Sequence, residues 1–288
     1  MMSTISTIYL PMALAIIMLG LGLSLTIDDF RRVLTQPRAV AVALVVQVIV
    51  LPSVAFGLCY AFALSPAFSV GLMLLAASPG GTSANLFSHL ARGDVALNIT
   101  LTAVNSLLAI ITLPLMINLA LLHFIGEGKS VPLQFGKVAQ VVAIVIVPVL
   151  VGMLLRNRRP MLAIRFEKPV KLFSLVFLLA IVSLVVVSGW KAITEDLPRI
   201  GGAMLSFNLL SLVIGYQLAK LAGLGQPQAT AIGMEIGVHN SALAISLALS
   251  PLLLNSPTMA IPATLYSPIM MLTAGSFAWW LTRATRAN

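Results

Sequence analysis

The 288-residue sequence predicts an all-α, polytopic membrane protein with about nine transmembrane helices. Three observations carry that prediction. Hydrophobic residues make up 59% of the chain, and the mean hydropathy is +1.06. Charged residues make up only 9%, against about 25% in soluble domains. The apolar residues form long, near-continuous stretches, which favours helices over barrel strands. A soluble globular enzyme, a disordered chain and a nucleic-acid-binding domain are excluded by the same composition. Cys59 is the only cysteine, which rules out an intramolecular disulfide and a cysteine-based metal site.

A helical span needs roughly 20 apolar residues. Nine stretches qualify: 7–27, 39–63, 68–89, 95–124, 138–155, 169–189, 200–223, 229–253 and 258–282. Turn chemistry marks the breaks: Gln36-Pro37, Ser65-Pro66, Arg92-Gly93-Asp94, Gly126-Glu127-Gly128, Arg159-Pro160, Leu197-Pro198, Gln226-Pro227 and Ser256-Pro257. The first stretch is not read as a cleaved signal peptide. It lacks a basic start, is long for an apolar signal core and ends in Asp28-Asp29.

The net charge of +9 is read as topology rather than as the mark of an anionic macromolecule. Thirteen cations fall in odd-numbered connections or at the C-terminus: Arg31, Arg32, Arg38, Arg92, Arg156, Arg158, Arg159, Arg165, Lys168, Lys171, Lys220, Arg283 and Arg286. Four fall in even-numbered ones: Lys129, Lys137, Lys191 and Arg199. The positive-inside rule then places the N-terminus outside and the C-terminus in the cytoplasm, which requires an odd span count. Very short loops and the lack of a transit peptide point to a multi-pass protein of a bacterial inner membrane.

The third and eighth stretches differ from the rest. The third contains Pro79-Gly80-Gly81-Thr82-Ser83-Ala84-Asn85, and the eighth Glu235-Ile236-Gly237-Val238-His239-Asn240-Ser241. Both place glycine and small polar residues near the expected midplane. Each is the middle member of a three-span block, and the two blocks run in opposite directions. Paired interruptions of this kind point to an inverted-repeat secondary transporter. Tight packing of small residues is the structural alternative.

Of eight acidic residues, only Glu235 lies well inside a stretch. A charge at the centre of a span costs roughly 2.5–3.5 kcal/mol on insertion scales. No Lys or Arg lies at a comparable depth, so the carboxyl needs a proton or a mobile cation. A hard cation wants several oxygens, and broken helices free backbone carbonyls. Gln47, Asn85, Asn98, Thr102 and Asn105 add side-chain oxygens. Asn98, Thr102 and Asn105 stand at i, i+4 and i+7, on one helical face. His239 follows Glu235 by four residues and could complete a cation site or carry a proton itself. An intramembrane enzyme finds little support: no second histidine makes a zincin motif around Glu235, and no nucleophile elbow or P-loop occurs.

Two runs resemble the bile acid:sodium symporter family. One is Pro79 through Asn85 followed by Leu90-Ala91-Arg92-Gly93-Asp94-Val95-Ala96-Leu97; the other is Glu235 through Ser241. The resemblance covers nearly the whole chain and matches a nine-span form lacking the family's first helix. It implies a single transmembrane transporter domain over 1–288. A core (38–124 and 199–283) would contain the two broken helices, crossing, and a panel (7–27 and 137–189) would pack beside it. It implies one sodium site at Asn85, Asn98, Thr102 and Glu235. A second would use Gln47, Glu235, His239 and the carbonyls of Ile236 and Val238. The family commonly has Ser where Ala84 and Asn98 stand and Gln where His239 stands, which makes proton involvement the alternative to sodium. Thr82, Ser83 and Asn240 stand where the resemblance places substrate contacts. Some bile-salt-binding relatives have His-Asn where Met270-Met271 align.

The expected function is therefore sodium-coupled symport of an organic anion by alternating access. The anion would be bile-acid-like or a small carboxylate such as a keto acid or pantothenate precursor. A proton-coupled carrier using Glu235 and His239 is the alternative within transport, and an intramembrane enzyme the alternative outside it. The expected partners are the anion and the lipid bilayer, with no nucleic acid and no obligate protein.

Overall fold

The computed structural model describes residues 10–126, 135–251 and 253–287. The start of the first apolar stretch (7–9), Glu127 and Lys129 lie outside the described residues, as do the side chains of Lys137, Lys171 and Arg286. Among the described residues, twelve helices follow in order: α1 (Leu10–Ser24), α2 (Ile27–Thr35), α3 (Pro37–Ala61), α4 (Pro66–Ala77), α5 (Thr82–Leu90) and α6 (Val95–Ile125). Then come α7 (Phe135–Arg158), α8 (Pro160–Ser188), α9 (Trp190–Leu221), α10 (Gln226–Gly237), α11 (Ser241–Leu249) and α12 (Pro257–Ala287). Helices α3, α6, α8 and α9 are each long and apolar enough to cross a bilayer. The pair α1 and α2, bent by 60°, makes a fifth if taken as one span.

The helix starts follow from local chemistry. Proline fills the first or second position of α3, α4, α8 and α10, where its missing N–H would be unpaired anyway. Asp94 caps α6 by accepting from the Leu97 amide at 2.9 Å. Asp29 accepts from both the Thr26 amide (2.7 Å) and the Thr26 hydroxyl (2.8 Å) at the start of α2.

Three sequence expectations fail here. Residues 28–35, expected as a connection, belong to the amphipathic helix α2, bent away from α1 and packed on α6. Residues 160–168, also expected as a connection, lie in α8 and carry Arg165 and Lys168. Leu197-Pro198 does not break the chain: α9 begins at Trp190 and runs through Pro198. A proline removes one hydrogen bond, and membrane helices absorb that loss locally. Lys191 and Arg199 accordingly sit on the first turns of α9, paired with Glu195 and Asp196.

Packing forms two groups. Helix α1 lies along α7, with α8 against both. The approach of α1 to α7 is backbone on backbone: a Cβ on Gly22 would stand 2.1 Å from the Val149 carbonyl oxygen, and one on Gly152 2.6 Å from that of Leu19. Small residues permit such contacts where no water drives helices together. In the other group α4 packs on α3, α6 and α12, while α9 packs on α10 and α12. The broken pairs α4/α5 and α10/α11 lie inside this second group. The outer face of α8 leaves Leu172, Leu175, Val176, Leu179 and Val187 exposed, as a lipid-facing helix would.

Candidate cation and anion site

Each interrupted stretch is two helices with an extended linker. Helix α4 ends at Ala77 and α5 starts at Thr82, leaving Ser78-Pro79-Gly80-Gly81 between them. Helix α10 ends at Gly237 and α11 starts at Ser241, leaving Val238-His239-Asn240. The breaks are thus shorter than the motifs: Thr82–Asn85 already belong to α5, and Glu235–Gly237 to α10. The linkers meet in an antiparallel backbone bridge between Gly80 and His239. The Gly81 amide donates to the Val238 carbonyl at 2.8 Å, and the Asn240 amide to the Pro79 carbonyl at 2.9 Å. Each break therefore supplies backbone partners for the other, as the bilayer interior demands.

Glu235 sits on the last turn of α10 and is fully buried. Its carboxylate accepts from the Thr102 hydroxyl at 2.6 Å and from the Asn105 amide at 3.2 Å. A Cβ on Gly80 would stand 2.3 Å from the carboxyl carbon. Only glycine lets the backbone approach this closely. Among the described residues, no Lys or Arg ion pair reaches Glu235. The polar face of α6 is as expected: Asn98 donates to the Ala231 carbonyl at 2.8 Å, while Thr102 and Asn105 reach the carboxylate.

Three buried amides have a partner for the nitrogen and none for the oxygen. Gln47 Nε2 donates to the carbonyls of Ala76 and Ser78, both at 3.1 Å. Asn98 Nδ2 is held by a carbonyl and Asn105 Nδ2 by the carboxylate. Such acceptors fix which end of an amide is nitrogen. The oxygens are thereby turned the other way, and Gln47 Oε1, Asn98 Oδ1 and Asn105 Oδ1 are buried without a partner. Asn85 Oδ1 is likewise buried and unpartnered. A buried unsatisfied acceptor costs about 1–3 kcal/mol, so four such oxygens call for an explanation beyond packing. Gln47 lies in a π-helical turn, Val46–Val50, of a kind enriched at functional sites.

Of the backbone ligands expected, Val238 O accepts from Gly81 and keeps its second lone pair. The Asn240 amide, which an unbroken helix would give to Ile236 O, goes to Pro79 instead. His239 stands apart. It is buried, packs against Phe207 and Tyr266 at centroid distances of 5.4 and 5.6 Å, and leaves both ring nitrogens without a hydrogen bond. It lies in the break, so its i, i+4 relation to Glu235 does not put the two on one regular helical face. Among the described residues no His, Cys, Asp or Glu trio gathers around a metal site. One carboxylate with neutral hydroxyl, amide and carbonyl oxygens suits a hard cation of low charge.

The residues expected to contact an anion stand at two helix starts. Gly81 caps α5 and Asn240 caps α11, its Oδ1 accepting from the Leu243 amide at 3.0 Å. A Cβ on Gly81 would stand 3.6 Å from Asn240 Cα, so the two helix N-termini adjoin. Thr82 is exposed there, and Ser83 and Asn240 are half-buried. Helix N-termini carry unpaired amides and partial positive charge, which suit an anion.

A bracing group went unread in the sequence. Asn208 and Tyr266, both fully buried, donate to the Gly237 carbonyl at 2.8 and 2.7 Å. Asn208 also donates to the Tyr266 hydroxyl at 2.8 Å and accepts from Thr273. The signal was an amide alone in the apolar run of α9, but nothing local ties it to Gly237.

Comparison with known proteins accords with this geometry. Residues 11–196 match the sodium bile acid symporter family model. The chain is 30% identical over 260 residues to an uncharacterized sodium-dependent transporter, YocS, of Bacillus subtilis, covering 90% of this chain and 78% of that one. It is 27% identical to a probable chloroplastic sodium/metabolite cotransporter, BASS2, of Oryza sativa, covering 100% and 67%. It is 25% identical to the human ileal sodium/bile acid cotransporter, covering 84% and 69%. All three carry transporter names, and none is an enzyme by name. The chain belongs to the sodium bile acid symporter family.

Proposed function

We propose that this chain is a sodium-coupled symporter of an organic anion. The observation that carries the reading is a fully buried carboxylate, Glu235, that no Lys or Arg pairs with among the described residues, while the side-chain oxygens of Gln47, Asn85, Asn98 and Asn105 are buried without a hydrogen-bond partner. Sodium is a substrate here, carried with the anion. Asn85, Asn98 and Thr102 with Glu235 would hold one ion. Gln47, Glu235 and the carbonyls of Ile236 and Val238 would hold another, with His239 beside them. The Glu235 carboxylate supplies the one full negative charge, and the Thr102 hydroxyl and Asn105 amide keep it oriented.

The anion would sit where the starts of α5 and α11 adjoin, near Thr82, Ser83 and Asn240. A carboxylate can be held there by backbone amides and hydroxyls without Lys or Arg. Small carboxylates, such as keto acids or pantothenate precursors, fit this as well as a bile-acid-like anion. Binding of sodium would stiffen the crossing of the two linkers, and the anion would then complete it. The chain would span a bacterial inner membrane nine times, as α1, α3, α4/α5, α6, α7, α8, α9, α10/α11 and α12, with its N-terminus outside. The core (38–124 and 199–283) would rock against the panel (7–27 and 137–189), exposing the site to each side in turn. Two sodium ions with one monoanion would move one net charge, worth about 2.3 kcal/mol per 100 mV.

The unpartnered nitrogens of His239 support a second reading, proton coupling through Glu235 and His239. Uptake of a panel of organic anions into proteoliposomes separates the two. An inward sodium gradient should drive uptake of at least one anion, unchanged in chemical form, and Glu235→Gln should abolish it. Uptake driven by a proton gradient without sodium would favour the second reading. Wild-type uptake by Glu235→Gln would sink both, and release of an altered product would favour an enzyme.

A further inference from the structure

The face of α6 that meets the carboxylate continues as a mostly apolar one interrupted by Thr112. Asn98, Thr102 and Asn105 are followed on the same face by Leu108, Thr112 and Met116. A cavity of about 10 Å³, room for about one water, is lined by Gln47, Pro79, Asn105, Leu108, Thr112 and Met116 among others. Its residues divide by burial. Gln47 and Asn105 at one end are 6% and 3% exposed, whereas Leu108, Thr112 and Met116 are half-buried. The cavity therefore leads from the carboxylate region toward the end of α6 at Ile125.

Asn105 stands at the junction. Its nitrogen donates to Glu235 Oε1 at 3.2 Å, and its oxygen is buried and unpartnered. Gln47 Oε1, lining the same cavity, is also buried and unpartnered. From this arrangement we infer that Asn105 is a hand-over ligand. A sodium ion approaching along the α3–α6 cleft exchanges water for Asn105 Oδ1 and Gln47 Oε1 before it meets Glu235. The ion loses its hydration in steps, each replaced by a neutral oxygen, and reaches the carboxylate partly stripped. Release of the Asn105 nitrogen from Glu235 then frees that carboxylate oxygen for the ion. No bond is made or broken beyond coordination and hydrogen bonds. The inference rests on the sodium-coupled reading proposed above and adds an access route and a ligand to it.

Binding of radioactive sodium to the purified full-length protein, with lithium as competitor, tests it. Asn105→Leu, which removes the oxygen at similar volume, should raise half-saturating sodium by roughly 10–100-fold and change the lithium-to-sodium preference. Asn105→Ser, which keeps an oxygen, should lie between Asn105→Leu and wild type. Thr112→Cys, placed in a Cys59→Ala background, reports on the cleft without touching the carboxylate. A small thiol reagent should modify it, and saturating sodium should slow that modification. Wild-type sodium affinity and selectivity in a folded Asn105→Leu variant would overturn the inference alone. So would labelling of Thr112→Cys that sodium leaves unchanged. Failure of the wild-type protein to bind sodium would instead overturn the coupling-ion reading, and the inference with it.

Discussion

The two broken spans do the same geometric work with opposite materials. The α4/α5 break is made of small residues and contributes backbone: Gly80 lies close against the Glu235 carboxyl, Pro79 gives its carbonyl to Asn240, and Ser78 its carbonyl to Gln47. The α10/α11 break contains no glycine, contributes Glu235 from the turn before it, and buries Val238 and His239. The carboxylate occupies the space where a Cβ on Gly80 would be. One break is therefore a glycine hinge shaped around the other's charge. The second is held from behind instead, where Asn208 and Tyr266 grip the Gly237 carbonyl. A broken helix in a bilayer needs its freed groups satisfied, and this chain does so by mutual pairing on one side and side-chain bracing on the other.

The largest expected effect comes from breaking the first half. Gly80→Ala drives a methyl into the Glu235 carboxyl, and should destabilise by about 3 kcal/mol, the upper part of the overpacking range. Gly81→Ala is its control. A Cβ there meets the His239 carbonyl oxygen at 3.3 Å, and the backbone φ of −93° is open to alanine. Its stability should stay within about 1 kcal/mol of wild type. Thermal unfolding in detergent compares the two, and equal losses would refute the claim that contact with the carboxylate selects Gly80.

Next in size is loss of the charge. Glu235→Gln should fold and should lower sodium-driven uptake by about 100-fold, measured in proteoliposomes. The second break gives smaller effects. Tyr266→Phe should cost about 1 kcal/mol of stability by removing one of two donors to Gly237. It should reduce uptake less than Gly80→Ala does. Smallest of all, Ala84→Ser places a hydroxyl at a fully buried position of α5 beside Asn85. It should lower half-saturating sodium by about threefold, which corresponds to less than 1.4 kcal/mol.

The sequence made some of this legible because the signals were local. Helical burial, the paired interruptions, Glu235 as the one deep carboxylate, and the Asn98–Thr102–Asn105 face all follow from spacing along the chain. Other features depend on contacts between distant segments. The sequence reading breaks the chain at Pro198, yet that proline lies inside a helix, as Pro114, Pro262 and Pro268 do. In a bundle, neighbours make up for a lost backbone bond, so the residue type alone does not mark a boundary. Helix α2 is the exception: its charges resemble a loop, although its capping box of Thr26 and Asp29 is a local signal. The true edges of the breaks depend on the cross-linker bonds of Gly81 and Asn240. The π turn at Gln47 and the grip of Asn208 on Gly237 depend on partners about thirty residues away.

The central claim is that Glu235 and its surrounding oxygens bind sodium. A ligand that binds only the folded protein raises its stability by mass action. The most direct measurement is therefore thermal unfolding of wild type and Glu235→Gln in NaCl and in KCl at equal ionic strength and pH. The account predicts that sodium raises the wild-type midpoint by at least about 2 °C over potassium, and that Glu235→Gln, though folded, shows no difference between the salts. Equal midpoints for wild type in the two salts, or an undiminished sodium shift in Glu235→Gln, would contradict it.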